Sequence, residues 1–246
     1  VGVICLKPFS ISKIYSDDKG NIVVDINPLP ENCCNFDCVF CPLSRTAVKT
    51  EYCQYFEGTE QFIDRLEKLL NDHNLDQVFI NPDGEALLNA ELSKVIDQLK
   101  KHKVRIKLLS NGYLFNHSEY FTILNRCDEI IGELAVVDEA DFIKLHRPLA
   151  NYSLKKHIGS MASFNRKYQG RLVLAINILK NYSDSTEAVQ DFAKLIKRIK
   201  PDRIVLETPQ KEKFKKGFAV DTDKLEKIRK KLRAIIGSEY LGENEI

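Results

Sequence analysis

Apolar residues along this chain fall into two alternating kinds of run. Short runs rich in Val, Ile and Leu occupy residues 22–27, 77–81, 105–110, 129–134, 172–179 and 203–208. Several are nearly continuous, a pattern that predicts strands buried on both faces. Between them the apolar positions take helical spacing. Residues 60–71 set Phe62, Ile63, Leu66, Leu69 and Leu70 on one face, and residues 91–102 do the same with Leu92, Val95, Ile96 and Leu99. Asp184 followed by Glu187 predicts a helix start, and that helix carries Val189, Phe192, Leu195, Ile196 and Ile199 until Pro201 stops it. Residues 154–167 and 222–236 complete the helical set. Such alternation predicts an α/β fold with parallel strands and right-handed crossovers. Six units in 246 residues predict a partial (β/α)6 barrel, with chemistry gathered at the carboxyl ends of its strands. One domain is expected over residues 1–246: a core barrel of about 22–210 and a basic helical segment of about 211–246.

Composition narrows the function classes. A net charge of +2 does not by itself argue for a nucleic-acid partner. No apolar run approaches the ~20 residues that span a bilayer, and Val1 to Leu6, broken by Lys7 and Pro8, is too short for a secretory core. The expectation is a cytoplasmic protein without a membrane association, in which cysteines stay reduced.

Four of the seven cysteines, Cys33, Cys34, Cys38 and Cys41, lie within nine positions. Cys34, Cys38 and Cys41 follow Cys-x3-Cys-x2-Cys spacing just after the first strand. Three thiolates this close can take three corners of a cubane cluster and leave the fourth iron open. A structural zinc with Cys33 or Cys53 as fourth ligand is the competing reading. Zinc sites usually pair two distant knuckles, and no second knuckle exists here.

This segment, with Phe40 as the aromatic of Cys-x3-Cys-x-aromatic-Cys, resembles the signature of the radical S-adenosylmethionine (SAM) superfamily. Asp83-Gly84-Glu85-Ala86 after the second strand is similar to the family's Gly-Gly-Glu-Pro motif. Ser110-Asn111-Gly112 after the third resembles its Thr-Asn-Gly turn, and His146-Arg147-Pro148 follows the fourth. Residues 22–210, with Arg203 to Pro209 as sixth strand, look most like the iron–sulfur oxidoreductases related to wyosine tRNA synthases. The departures are Asp83, Ala86, Glu133-Leu134-Ala135 in place of Ser-Leu-Asp, and Glu207 in place of Asn; all lie at strand ends, where substrate would be touched.

The resemblance implies a [4Fe–4S] cluster on Cys34, Cys38 and Cys41, and SAM chelated to its open iron. Reductive cleavage of SAM would give a 5′-deoxyadenosyl radical that takes hydrogen from a substrate, with a tRNA nucleoside as one class. Flavodoxin or ferredoxin would be the electron donor. For SAM the resemblance implies Glu85 at the ammonium, Gly84 at a close backbone approach, Asn111 at ribose or carboxylate, and Phe40, Ser110 and Asn177 beside them. Glu85 can alternatively be a surface carboxylate in a turn, and Asn111-Gly112 an ordinary turn. Glu133, Arg147 and Glu207 are the catalytic candidates, with solvated strand ends and a loop clamp as the alternatives.

Cys5 and Cys53 are possible ligands of a second cluster, although their spacing does not match the wyosine family's extra cysteines; Cys127 is expected in the core. Lysines and arginines from Lys211 to Arg233 are either a solvated face or a contact for RNA phosphates. Three other readings stand beside the leading one. An activase of a glycyl-radical protein lacks its usual Gly-Pro-Gly approach in residues 14–33. Peptide modification usually uses cysteines near the C-terminus, and none follows Cys127. A binding module stabilised by a metal is the non-enzymatic case.

Overall fold

The computed structural model describes residues 9–30, 32–43, 45–237 and 240. Six parallel strands lie side by side in chain order: β1 (Ile22–Asn27), β2 (Gln77–Ile80), β3 (Arg105–Ser110), β4 (Glu129–Leu134), β5 (Arg171–Asn177) and β6 (Arg203–Glu207). Two short strands, Ser10–Ile11 and Tyr15–Ser16, add antiparallel to β1. The strands form one open path in which β1 and β6 do not pair. This is the expected partial barrel, because each helical crossover returns the chain beside the strand it left.

One expectation needs correction. Only β5 is buried nearly throughout; β2, β3, β4 and β6 alternate. Their outer face places Val78, Ile80, Ile106, Leu108, Ile130, Ile204 and Leu206 in the core, under 4 % exposed. The inner face, with Phe79, Lys107, Leu109, Ile131 and Glu133, is half-buried. Six strands do not close, so helices seal one face while the concave face stays accessible.

Helices α1 (Thr59–Asp72), α2 (Leu92–Lys101), α3 (Ser118–Leu124), α4 (Leu154–Asn165), α5 (Thr186–Ile199), α6 (Glu212–Phe218) and α7 (Thr222–Ile236) cover the outside. In α1 the buried stripe is Phe62, Leu66 and Leu70, one residue per turn. The cap of α5 is Ser185, whose hydroxyl accepts from the Ala188 N–H at 3.1 Å. The predicted Asp184 start sits one residue outside, because its carboxylate instead takes the Asn181 N–H and pairs with Lys224. Short helices α3 and α6 were not predicted, nor was the π-helical turn Phe142–His146, since one or two turns carry too few positions for a period to show. Helix α7 packs on α5 and sends Ile228, Leu232 and Ile236 into the common core, so the basic C-terminal segment is anchored to the barrel. Among the described residues no helix is long and apolar enough to cross a membrane.

Candidate functional site

At the carboxyl ends of the strands a cavity of about 150 Å³ opens. Cys34, Cys38 and Cys41 line it, together with Phe40, Gly84, Ser110, Asn111, Glu133 and Asn177. Three sequence-predicted site residues are not on its wall. Glu85 is wholly buried behind it. Arg147 is exposed, in a left-handed conformation at the end of the π-helical turn. Glu207 is exposed at the end of β6, in register with Asn177.

The cysteine loop is held by backbone pairing and by one ring. Cys33–Cys34 forms a two-residue strand against Val48–Lys49. The two-residue period of a strand sends Cys33 into the core and Cys34 towards the cavity. Asp37 and Val39 donate their N–H groups to the carbonyls of His146 and Leu145, each within 2.9 Å, which straps the loop to the segment after β4. Phe36, only 2 % exposed, meets the rings of Tyr113, Phe142, His146, Tyr152 and His157 edge-on at 5.5 to 6.2 Å. Edge-to-face contacts of this kind add to the area Phe36 buries.

Gly84 has a structural task. Its φ is +147°, and a Cβ there would lie 2.1 Å from the Cys33 carbonyl oxygen. The bare backbone can therefore run beside the cysteine loop, and Glu85 N–H donates to Cys33 O at 2.8 Å. In this structure the close approach at Gly84 is to Cys33.

Glu85 is a brace. Its carboxylate accepts from Leu87 N–H (3.2 Å), Ser110 Oγ (3.0 Å) and Asn111 N–H (2.9 Å). Burial pushes its pKa up to about 7, against the downward pull of those three hydrogen bonds. Asn111 extends the brace. Its Oδ1 accepts from Tyr113 N–H at 3.0 Å, its Nδ2 donates to Asn35 Oδ1 at 2.6 Å, and its carbonyl meets His157 Nε2 at 2.7 Å. Because a carbonyl can only accept, His157 carries its proton on Nε2. Its Nδ1 is then a lone pair, buried without a partner. Burial holds His157 near pKa 4 and His146, which also feels His157, near 3, so both rings are neutral. His146 entered the sequence reading only as part of His146-Arg147-Pro148, and neither His157 nor the Phe36 cage was singled out; only tertiary packing brings these rings together.

On the cavity wall the Glu133 carboxylate and the Asn177 amide make no hydrogen bond among the described residues, and His146 and His157 each leave Nδ1 without a partner. Glu133 is raised to about 7, first by burial and then by the charges of Glu207 and Glu85.

The three thiols suit an iron–sulfur centre. Phe36 N–H lies 3.4 Å from Cys34 Sγ and Asn111 Nδ2 lies 3.8 Å from it. Donors aimed at sulfur stabilise a thiolate ligand. Burial, and then the charge of Glu85, push the Cys34 thiol up; burial and the neighbouring cysteines do the same to Cys38. Bound iron opposes that shift directly. Among the described residues no three His, Cys, Asp or Glu side chains are gathered as ligands of one metal ion. A cubane asks for less convergence, since each thiolate binds a different iron. The zinc alternative loses its fourth ligand. Cys33 is core, and Cys53 is exposed, its Sγ 3.4 Å from Leu87 O and 3.2 Å from Tyr120 Oη. Neither lines the cavity. Cys5 lies outside the described residues, and Cys127 is buried in the core as expected.

A three-cysteine loop over the carboxyl ends of a six-stranded parallel partial barrel defines a radical SAM fold. The family pattern of the Radical SAM superfamily matches residues 30–196, and the chain belongs to that superfamily, whose members are enzymes. The chain is 28 % identical over 212 residues to a protein named GTPase Obg from Brachyspira hyodysenteriae, covering 85 % of this chain and 31 % of that protein. It is also 28 % identical over 224 residues to a UPF0026 protein of Methanocaldococcus jannaschii, covering 90 % and 68 %. The chain thus spans about a third of the Brachyspira protein, and it contains no Gly-x4-Gly-Lys phosphate loop. Among solved structures, TYW1 with a lysine–pyruvate adduct bound superposes with a TM-score of 0.65 at 16 % identity, covering 86 % of this chain and 73 % of that one. Streptococcus suis SuiB bound to the precursor peptide SuiA gives 0.67 at 15 %, covering 90 % and 48 %. Both likenesses are of fold.

Proposed function

We propose that this chain holds a [4Fe–4S] cluster on Cys34, Cys38 and Cys41 and cleaves SAM reductively beside it. The observation that carries the proposal is that all three thiols of the spaced motif line one cavity at the strand ends. When bound, a cluster reduced by an external donor would pass one electron to the sulfonium of SAM, and the broken sulfur–C5′ bond would leave methionine and a 5′-deoxyadenosyl radical able to remove hydrogen from a substrate.

This chain's own residues do the positioning. The Phe36 cage and the straps to His146 and Leu145 keep the loop rigid, so the thiolates are presented without reorganisation. Glu85 and Asn111 hold the Ser110-Asn111-Gly112 turn against the loop from behind. Glu133 and Asn177 hydrogen-bond the ligand from the wall, and the half-buried inner face of the barrel admits the substrate. A tRNA nucleoside is the substrate class that the motif resemblance suggests. The fold likeness is equal to TYW1 and to a protein bound to a peptide, so it supports no choice between them.

The test is anaerobic reconstitution, reduction with dithionite, and assay of 5′-deoxyadenosine alongside the electron paramagnetic resonance spectrum. The expected result is a four-iron signal that SAM shifts, with nucleoside formed and both lost in Cys38→Ala. A metal centre indifferent to SAM, with no nucleoside, rejects the proposal.

A further inference from the structure

The cavity wall carries the amides of Asn111 and Asn177 at strand ends, and the two are held differently. The Asn111 amide has its orientation fixed. Its Oδ1 accepts the Tyr113 N–H at 3.0 Å, the turn an asparagine makes with the backbone two residues on. With Oδ1 so placed, Nδ2 faces the cysteine loop, 2.6 Å from Asn35 Oδ1 and 3.8 Å from Cys34 Sγ. An amide nitrogen carries two hydrogens, one for each of these acceptors. Asn35 Oδ1 is itself 3.7 Å from Cys34 Sγ, and a free thiol donates its proton to that oxygen. A metal-bound thiolate has no proton to give, so oxygen and sulfur become two acceptors side by side, and the Asn111 N–H group is the donor that lies against both. The Phe36 N–H, 3.4 Å away, is a second donor to the same sulfur. Cys38 Sγ receives no hydrogen bond among the described residues. The backbone of Asn111 is held as well: Glu85 accepts its N–H at 2.9 Å, and His157 Nε2 donates to its carbonyl at 2.7 Å. His157 is only 1 % exposed and belongs to helix α4, which makes it a firm support.

We infer that Asn111 acts on the iron–sulfur centre through the Cys34 sulfur, raising its reduction potential, and that His157 is the positioning residue that holds Asn111 there; this rests on the function proposed above. A hydrogen bond aimed at a ligand sulfur stabilises the reduced, more negative form of a cluster. The surrounding carboxylates work the other way. Glu85 and Glu133 both lie in electrostatic reach of Cys34, and negative charge there opposes an added electron. The two N–H donors offset that opposition at one corner of the cluster, so Cys34 and Cys38 are unequal ligands. This role differs from the ribose or carboxylate contact that the motif resemblance implies for Asn111. The two assignments separate cleanly, because a potential can be measured with no SAM present.

The protein is reconstituted anaerobically with iron and sulfide, and its potential is read by electron paramagnetic resonance in a mediated redox titration without SAM. Asn111→Ser is the main variant. A serine hydroxyl can still accept the Tyr113 N–H, as it does in turns, but is too short to reach Cys34 and adds no charge. At a fixed solution potential its ratio of reduced to oxidised centre is expected to fall about tenfold, a downward shift of about 59 mV for one electron. Its affinity for SAM, measured by calorimetry, should stay at the parent's. Asn177→Ala is expected to do the reverse, keeping the parent's potential and losing SAM affinity. His157→Phe keeps a ring but loses the bond to Asn111; it should lower the potential, and the double variant should shift no further than Asn111→Ser alone. A parent-like potential in Asn111→Ser overturns the inference, and weaker SAM binding alongside it returns Asn111 to the SAM contact. A His157→Phe shift that adds in full to that of Asn111→Ser overturns the positioning role. A parent whose centre titrates but cleaves no SAM defeats the proposed function and leaves the potentials to judge Asn111; a parent that takes up no iron–sulfur centre overturns both.

Discussion

Gly84→Ala tests the join between the second strand end and the cysteine loop. The added Cβ would sit 2.1 Å from Cys33 O and 2.9 Å from Cys33 C, both backbone atoms that no rotamer change can move aside. Relief requires the two chains to part, which breaks the 2.8 Å bond from Glu85 N–H to Cys33 O. A buried hydrogen bond left unmade costs about 1–3 kcal/mol. A non-glycine residue held at φ +147° costs about 1–3 kcal/mol more. The sum is about 4 kcal/mol, which for a domain of this size lowers Tm by roughly 8–16 °C. Thermal unfolding of the metal-free protein by circular dichroism measures it, with Gly20→Ala as the comparison. Gly20 also has positive φ, +80°, but nothing within 4 Å of its Cβ position, so it reports the backbone cost alone, about 1 kcal/mol. Equal Tm losses in the two variants would refute the steric argument.

Three further outcomes follow from the same site. Glu85 has its folded pKa raised from 4.5 to about 7, so the folded state holds the proton more tightly and stability is lost as pH rises through that window. The stability of the parent relative to Glu85→Gln should fall by about 3 kcal/mol between pH 4.5 and 7; taking the difference cancels the opposite slope from His146 and His157, and a flat difference would show the carboxylate is not strained by burial. Phe36→Ala removes the ring that five others enclose and should cost about 3–5 kcal/mol, with slower iron uptake measured by absorbance; parent-like unfolding would show the cage is not what holds the loop. Cys38→Ala, by contrast, should leave Tm of the metal-free protein within a few degrees while iron binding is lost, because Cys38 is only partly buried beside the cavity; a large Tm loss would make its role structural.

The sequence alone determined the alternation of strand and helix, the open six-unit barrel and the three-cysteine motif, because periodicity and spacing are local properties of the chain. It also placed Gly84, Glu85, Ser110 and Asn111 at strand ends, which the parallel topology gathers at one rim. Their division of labour was decided only in three dimensions. Glu85 and Asn111 lie in motifs whose resemblance implies ligand contact, and in three dimensions their side chains also bond Leu87, Ser110, Tyr113 and Asn35. Whether a polar atom is free depends on partners dozens of residues away, and no local pattern encodes them. The same holds for His157, an unremarked position of α4 that reaches Asn111, and for the five rings around Phe36.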